Sequence, residues 1–235
     1  MLHHRLCIIS LPRSGSQYAV ELIKKNSVHK YTDLIEPFVR NTKYIVQEDG
    51  KLKISNSTIF WDEKNRIDYS LKQIYYADIE QPIIMRMFLN DEVANKYLDI
   101  IKSLVQKDFE FIVLKRSNIE EHFISYATAL KLDMWNKFDP NIELPHINID
   151  NYSDIIWLYN LIKNFNIKIK TLPIKYNTIT YETIEHDLSS LFGFVINKNI
   201  KIYKQVNPND CYDHIENSEE VKNFISNLIN DKKIL

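Results

Sequence analysis

Short apolar runs alternate along this chain with longer segments in which apolar residues recur every three or four positions. Residues 5–11, "RLCIISL", carry no charge after Arg5, the pattern of a strand buried on both faces. Ser16 to Lys25 follows with Ala19, Leu22 and Ile23 on one helical face. The succession then returns. "PIIMRMF" at 82–88 reads as a buried strand, and Asn90-Asp91 can cap a helix to about Gln106 with Val93, Tyr97, Ile100, Ile101 and Leu104 on its face. "FEFIVLKR" at 109–116 is a third strand, after which Ser117 to Glu120 matches the capping box S-x-x-E and opens a helix to about Leu132. A polar loop at 139–150, marked by Pro140 and Pro145, precedes a helix with Ile155, Ile156, Leu158, Tyr159 and Ile162. "PIKYNTITYETI" at 173–184 is a fourth strand running into a helix that stops near Gly193. A last helix, 218–231, starts at Asn217, whose spacing to Glu220 again suits a capping box.

One segment breaks the rhythm. Residues 42–55 alternate polar and apolar positions on either side of Asp49-Gly50, a two-residue hairpin signal, and fit an insertion at about 40–80. Elsewhere, strands alternating with helices predict an α/β fold: a mostly parallel sheet with helices on both faces and ligands beyond the carboxyl ends of the strands. The loops at 11–16 and 116–118 share that edge. A length of 235 residues suits a single domain, 1–235, large enough to bury a real core.

Composition narrows what such a fold can hold. Thirty basic and 31 acidic side chains leave a net charge of -1, against a nucleic-acid partner and in favour of strictly local anion sites. The two cysteines lack the spacing of a disulfide scaffold or zinc site, and His3, His4, His29, His146, His186 and His214 lack metal-ligand spacing, so no metal is expected. No apolar stretch approaches the ~20 residues that span a bilayer. A cytoplasmic protein with no membrane partner is the expectation. Only three glycines occur, so one placed between a strand and a helix marks a backbone requirement.

That glycine lies in "LPRSGSQY", residues 11–18. The first amides of the helix it introduces have no internal partner, and the helix dipole favours negative charge there. Arg13 adds a fork of donors, Ser14 and Ser16 add hydroxyls, and Gly15 lets the backbone approach a ligand closely. The alternative is a plain turn in which Ser16 merely caps the helix. The Walker pattern G-x-x-x-x-G-K-[ST] is absent, which counts against ordinary use of ATP and magnesium.

Pro12 to Ser16 resembles the 5′-phosphosulfate loop of sulfotransferases that use 3′-phosphoadenosine-5′-phosphosulfate. Gln17 departs from the Thr usual there, and Tyr18 holds the next, aromatic position. "KRSNIEEHFIS" resembles the strand–Arg-x-Asn–helix–Ser arrangement of bacterial and phage members, in which the Arg and Ser grip the donor's 3′-phosphate; Arg116, Asn118 and Ser125 correspond. Asn118, His122 and Ser125 fall on one helical stripe, as that grip requires. "ITYETI" is similar to the family's Tyr-Glu segment, which would set Tyr181 near adenine, and Lys204 lies in a C-terminal stretch resembling one whose basic residue covers the nucleotide.

The resemblance implies a P-loop NTPase-like sulfotransferase fold and transfer of a sulfuryl group to a hydroxyl of a carbohydrate or small-molecule acceptor. It further implies a donor held by Arg13, Ser14, Gly15, Ser16, Gln17, Tyr18, Arg116, Ser125, Tyr181 and Lys204. In this reading Arg13 and the helix amides stabilise charge on the departing phosphate, at the far end of the donor from Arg116. Glu36 in "YTDLIEPF" is the expected base, with His122 in reserve, and Arg86 supplies positive charge to the sulfuryl oxygens. Two alternatives stay open: a small-molecule or nucleotide kinase with an atypical loop, and a catalytically inactive nucleotide-binding protein.

Overall fold

The computed structural model describes residues 5–34, 43–46, 52–55, 82–89, 97–133, 144–197 and 211–231. Among these, five strands form one parallel sheet: β1 (Arg5–Ser10), β2 (Thr32–Asp33), β5 (Ile83–Phe88), β6 (Glu110–Lys115) and β7 (Tyr176–Thr180), in the order β2-β5-β1-β6-β7. β3 (Lys43–Val46) and β4 (Leu52–Ser55) pair antiparallel as a separate two-stranded sheet with Val46 opposite Leu52, so the hairpin expected here forms, but in a register one residue out from that of a two-residue Asp49-Gly50 turn. The helices are α1 (Ser16–Asn26), α2 (Tyr97–Val105), α3 (Ile119–Leu132), α4 (Ser153–Lys170), α5 (Ile184–Phe192) and α6 (Ser218–Asp231).

Alternation along β1 divides the core. Leu6 and Ile8 point to one face and pack with Ala19, Leu22 and Ile23 of α1 and with Ile184 and Leu188 of α5. Cys7 and Ile9 point to the other face, which Ile100, Phe123, Leu158 and Val221 cover from α2, α3, α4 and α6. Each layer buries most of the apolar stripe that its helices' periodicity predicted, although Ile156 of α4 stays 38% exposed. The α/β class with a parallel sheet therefore stands.

Three local expectations fail, each because a side chain finds a better partner. The cap of α3 is Asn118, not Ser117: its side chain accepts from the Glu121 amide at 3.1 Å. Asn217 makes a two-point contact with Ile149, receiving its N–H and donating to its C=O, each at 3.0 Å, in place of a side-chain cap on α6. Residues 144–150 are more than a polar loop, since Ile147 and Ile149 are buried and Ile147 bridges Ile215. The edge strand β2, two residues long, has no counterpart in the sequence reading.

The sheet order positions the site. β1 lies between β5 and β6, with Ile8 in register with Arg86 on one side and Ile112 on the other. Leaving β1, the chain runs through α1 to β2 at the far left edge; leaving β6, it runs to β7 on the right. Between β1 and β6 the outgoing connections part. That divergence lies at the carboxyl ends of the two strands, the position where open α/β sheets bind ligands.

Candidate anion site between the first and fourth parallel strands

The β1–α1 turn is tight and held by its own backbone. The Ser14 amide donates to the Leu11 carbonyl at 3.3 Å, and Ala19 donates to the Gly15 carbonyl at 3.0 Å. Gly15 is the N-cap of α1, at φ 85°, and contributes no side-chain hydrogen bond. The simple capping role weighed for Ser16 is not what the structure shows, because Ser16 is already the first helical residue and is buried. The leading amides of α1 therefore keep the anion-attracting character of an end without a side-chain cap.

Gly15 is required for a second reason. A Cβ built there would lie 2.5 Å from Cε2 of Tyr181 and closer still to Cδ2. The Tyr181 ring, 8% exposed, forms the floor of the loop. On the same ring sits the Arg116 guanidinium, 4.7 Å from its centroid, a cation–π contact.

The two predicted arginines interlock. Arg116, leaving β6, donates through Nη1 to the Arg13 carbonyl at 3.4 Å; Arg13, in the β1–α1 turn, donates through Nε to Ser125 Oγ in α3 at 3.2 Å. Each reaches into the other's element. Arg13, Arg116 and Ser125 thus make one cluster that joins the two predicted anion loops. Arg13 sits at φ 63°, left-handed for a non-glycine residue, where these contacts hold it. Burial lowers its pKa to about 10, and the neighbouring Arg116 charge acts in the same direction. Like charges gathered at one largely buried place favour an anion between them.

His122 fastens α3 to the turn. Its Nε2 donates to the Pro12 carbonyl at 2.7 Å, which fixes the proton on that nitrogen. Burial lowers its pKa to about 4, with Arg116 and Arg13 adding to the effect and the Pro12 bond opposing it. Because the folded value lies below the ordinary 6.5, the folded chain excludes a proton that the unfolded chain accepts. Stability from this residue is complete above pH 6.5 and is lost as pH falls toward about 4, by up to about 3 kcal/mol. Denaturant midpoints measured across that window should fall in the wild type. In His122→Asn, which keeps an N–H donor without the titration, the curve should flatten above the carboxylate range.

Two carboxylates complete the cluster, and residue-by-residue reading gave neither a role. Glu182 accepts from the Ser117 amide at 3.1 Å, the Ser117 hydroxyl at 2.7 Å and the Asn118 amide at 2.9 Å, tying the β7–α5 turn to the start of α3. Burial opposes its ionisation, but these bonds outweigh that and hold its carboxyl below the ordinary range. Glu121 pairs with Arg116, Oε2 to Nη2, at 2.8 Å. The one available signal was the "YE" pair, in which only the Tyr was given a role.

The remaining candidates divide. Ser14 is buried within the turn. Gln17 turns along α1 and donates to Glu21 Oε1 at 3.4 Å. Tyr18, expected among the residues that hold the donor, packs in the core, 8% exposed and bonded through its hydroxyl to Glu185 of α5. Arg86 is buried on β5 in register with Ile8, one strand from the turn. Glu36 and Lys204 lie outside the described residues.

No protein-family model matches the chain, and a search of curated proteins returns no match.

Proposed function

We propose that the chain binds 3′-phosphoadenosine-5′-phosphosulfate at the carboxyl ends of β1 and β6 and transfers its sulfuryl group to a hydroxyl of a carbohydrate or small-molecule acceptor. The observation that carries this reading is the reciprocal reach of Arg13 to Ser125 and of Arg116 to the Arg13 carbonyl, directly above the α1 N-terminus. It gathers donors for two phosphate groups where the sheet opens.

In the reaction the acceptor oxygen attacks sulfur, the bond from sulfur to the 5′-phosphate oxygen breaks, and adenosine 3′,5′-bisphosphate leaves. The acceptor proton passes to Glu36, the base the resemblance implies. Arg13 and the α1 amides take up charge growing on the departing phosphate, and Arg86 is the cation the resemblance assigns to the sulfuryl oxygens. Arg116 and Ser125 hold the 3′-phosphate over Tyr181. His122 acts as a positioning residue, since its Nε2 proton is committed to Pro12 and its ring is neutral at physiological pH.

Calorimetry with adenosine 3′,5′-bisphosphate and with ATP, each with and without magnesium, tests the nucleotide, and donor carrying labelled sulfate tests transfer. The expected result is magnesium-independent bisphosphate binding and label appearing on a hydroxylated acceptor. ATP binding that requires magnesium, without bisphosphate binding, would assign a kinase. Bisphosphate binding with no turnover on any acceptor would leave only the binding half.

A further inference from the structure

The helix that carries Ser125 is capped in an unusual way. In a capping box the residue three beyond the cap turns back to the cap's own amide. Here the cap is Asn118 and the third residue is Glu121, but the Asn118 amide is already taken by Glu182. Glu121 is thereby released from capping and turns to Arg116.

The pair is unequal. Arg116 has a side chain only 4% exposed and fixed by Tyr181 beneath it, whereas the Glu121 side chain is 36% exposed and can rotate into water. It is also half-made. One carboxylate oxygen meets Nη2 at 2.8 Å, the Nη1 contact to the Arg13 carbonyl is long at 3.4 Å, and the buried Nε has no acceptor among the described residues. A guanidinium offers paired N–H groups, and a carboxylate on one of them leaves a desolvated donor unmet.

Resting on the nucleotide reading above, we propose that Glu121 is a specificity-determining residue: it holds Arg116 in the empty protein and yields to a dianionic phosphate monoester on the ribose. A phosphate brings three oxygens and a second charge, so it can satisfy Nε and Nη2 together. A singly charged group replaces the carboxylate like for like and gains little. A nucleotide phosphorylated only at its 5′ position leaves the Arg116–Glu121 pair intact. The net contribution of the 3′-phosphate is therefore the difference between two anions competing for one fork.

Calorimetric titration of wild type, Glu121→Gln and Glu121→Asp with adenosine 3′,5′-bisphosphate and adenosine 5′-monophosphate tests this, with thermal melts confirming that each variant folds. Glu121→Gln should bind the bisphosphate about two- to fivefold more tightly, the scale of a partly exposed charge pair, and the monophosphate unchanged. Glu121→Asp, shortened by one methylene but still anionic at the helix start, should shift the same way. If wild type binds the bisphosphate and both variants bind it equally or more weakly, Glu121 supports Arg116 and this proposal fails while the nucleotide reading stands. An equal gain for the monophosphate would reveal a general charge effect and also overturn it. Binding by none of the three proteins overturns both.

Discussion

Gly15→Ala is expected to lower stability by about 2–6 kcal/mol and to abolish measurable binding of adenosine 3′,5′-bisphosphate. Two independent penalties meet at this position. At φ 85° any side chain is strained, by about 1–3 kcal/mol. The new methyl would also enter the Tyr181 ring, and overpacking of that kind typically adds about 1–3 kcal/mol. The ring has little room to retreat, because it is 8% exposed and lies against the Arg116 guanidinium. Any retreat moves the arginine that reads the ligand.

Gly193 separates the two terms. It ends α5 at φ 68°, also left-handed, but a Cβ there meets nothing within 4 Å. Gly193→Ala should therefore lower stability by only about 1 kcal/mol, from backbone strain alone. In a Tyr181→Ala background the clash is gone, and Gly15→Ala should fall to a similar value. Denaturant melts of the four proteins close the cycle. An equal effect of Gly15→Ala in both backgrounds would show that Tyr181 is not the floor of the turn.

The same contrast explains what the sequence made legible. Strands and helices were readable because their signals are local: "CII" in β1, the 3.6-residue spacing of α1 and α3, and Asp49-Gly50 between β3 and β4 each depend on neighbours in sequence. Gly15 could be singled out by its rarity, yet that it faces Tyr181, 166 positions away, is a tertiary fact. Arg13, Arg116 and Ser125 were legible as residue types suited to anions. That they form one interlocked cluster follows from the sheet order, which places β6 beside β1 although β5 precedes it in sequence.

Misread details share a cause. Asn118 rather than Ser117 caps α3, and Glu121 leaves its capping-box role, because Glu182 approaches from another turn and changes which amides are available. Asn217 abandons its helix for Ile149. Tyr18, drawn toward a ligand by its position after the loop, is instead claimed by Glu185 and the α1–α5 interface. In "HINI" the period-two apolar pair Ile147 and Ile149 was present in the sequence, but two preceding prolines, Pro140 and Pro145, made the segment read as loop.

Arg116→Ala is expected to weaken adenosine 3′,5′-bisphosphate binding by about 2–5 kcal/mol, roughly thirty- to several thousandfold, the range for removing one partner of a buried charged pair. Burial is what makes the effect large: the guanidinium is 4% exposed, so its charge acts through little water. Affinity for adenosine 5′-monophosphate should change far less, since the α1 amides and Arg13 remain. The variant also removes the fork for which Glu121 competes, so adding Glu121→Gln to Arg116→Ala should give no further gain in bisphosphate affinity. Loss of monophosphate and bisphosphate affinity in equal measure would mean that Arg116 supports the turn through the Arg13 carbonyl rather than gripping a second phosphate. Unchanged affinity for both would remove the arginine cluster, and the sulfotransferase reading with it.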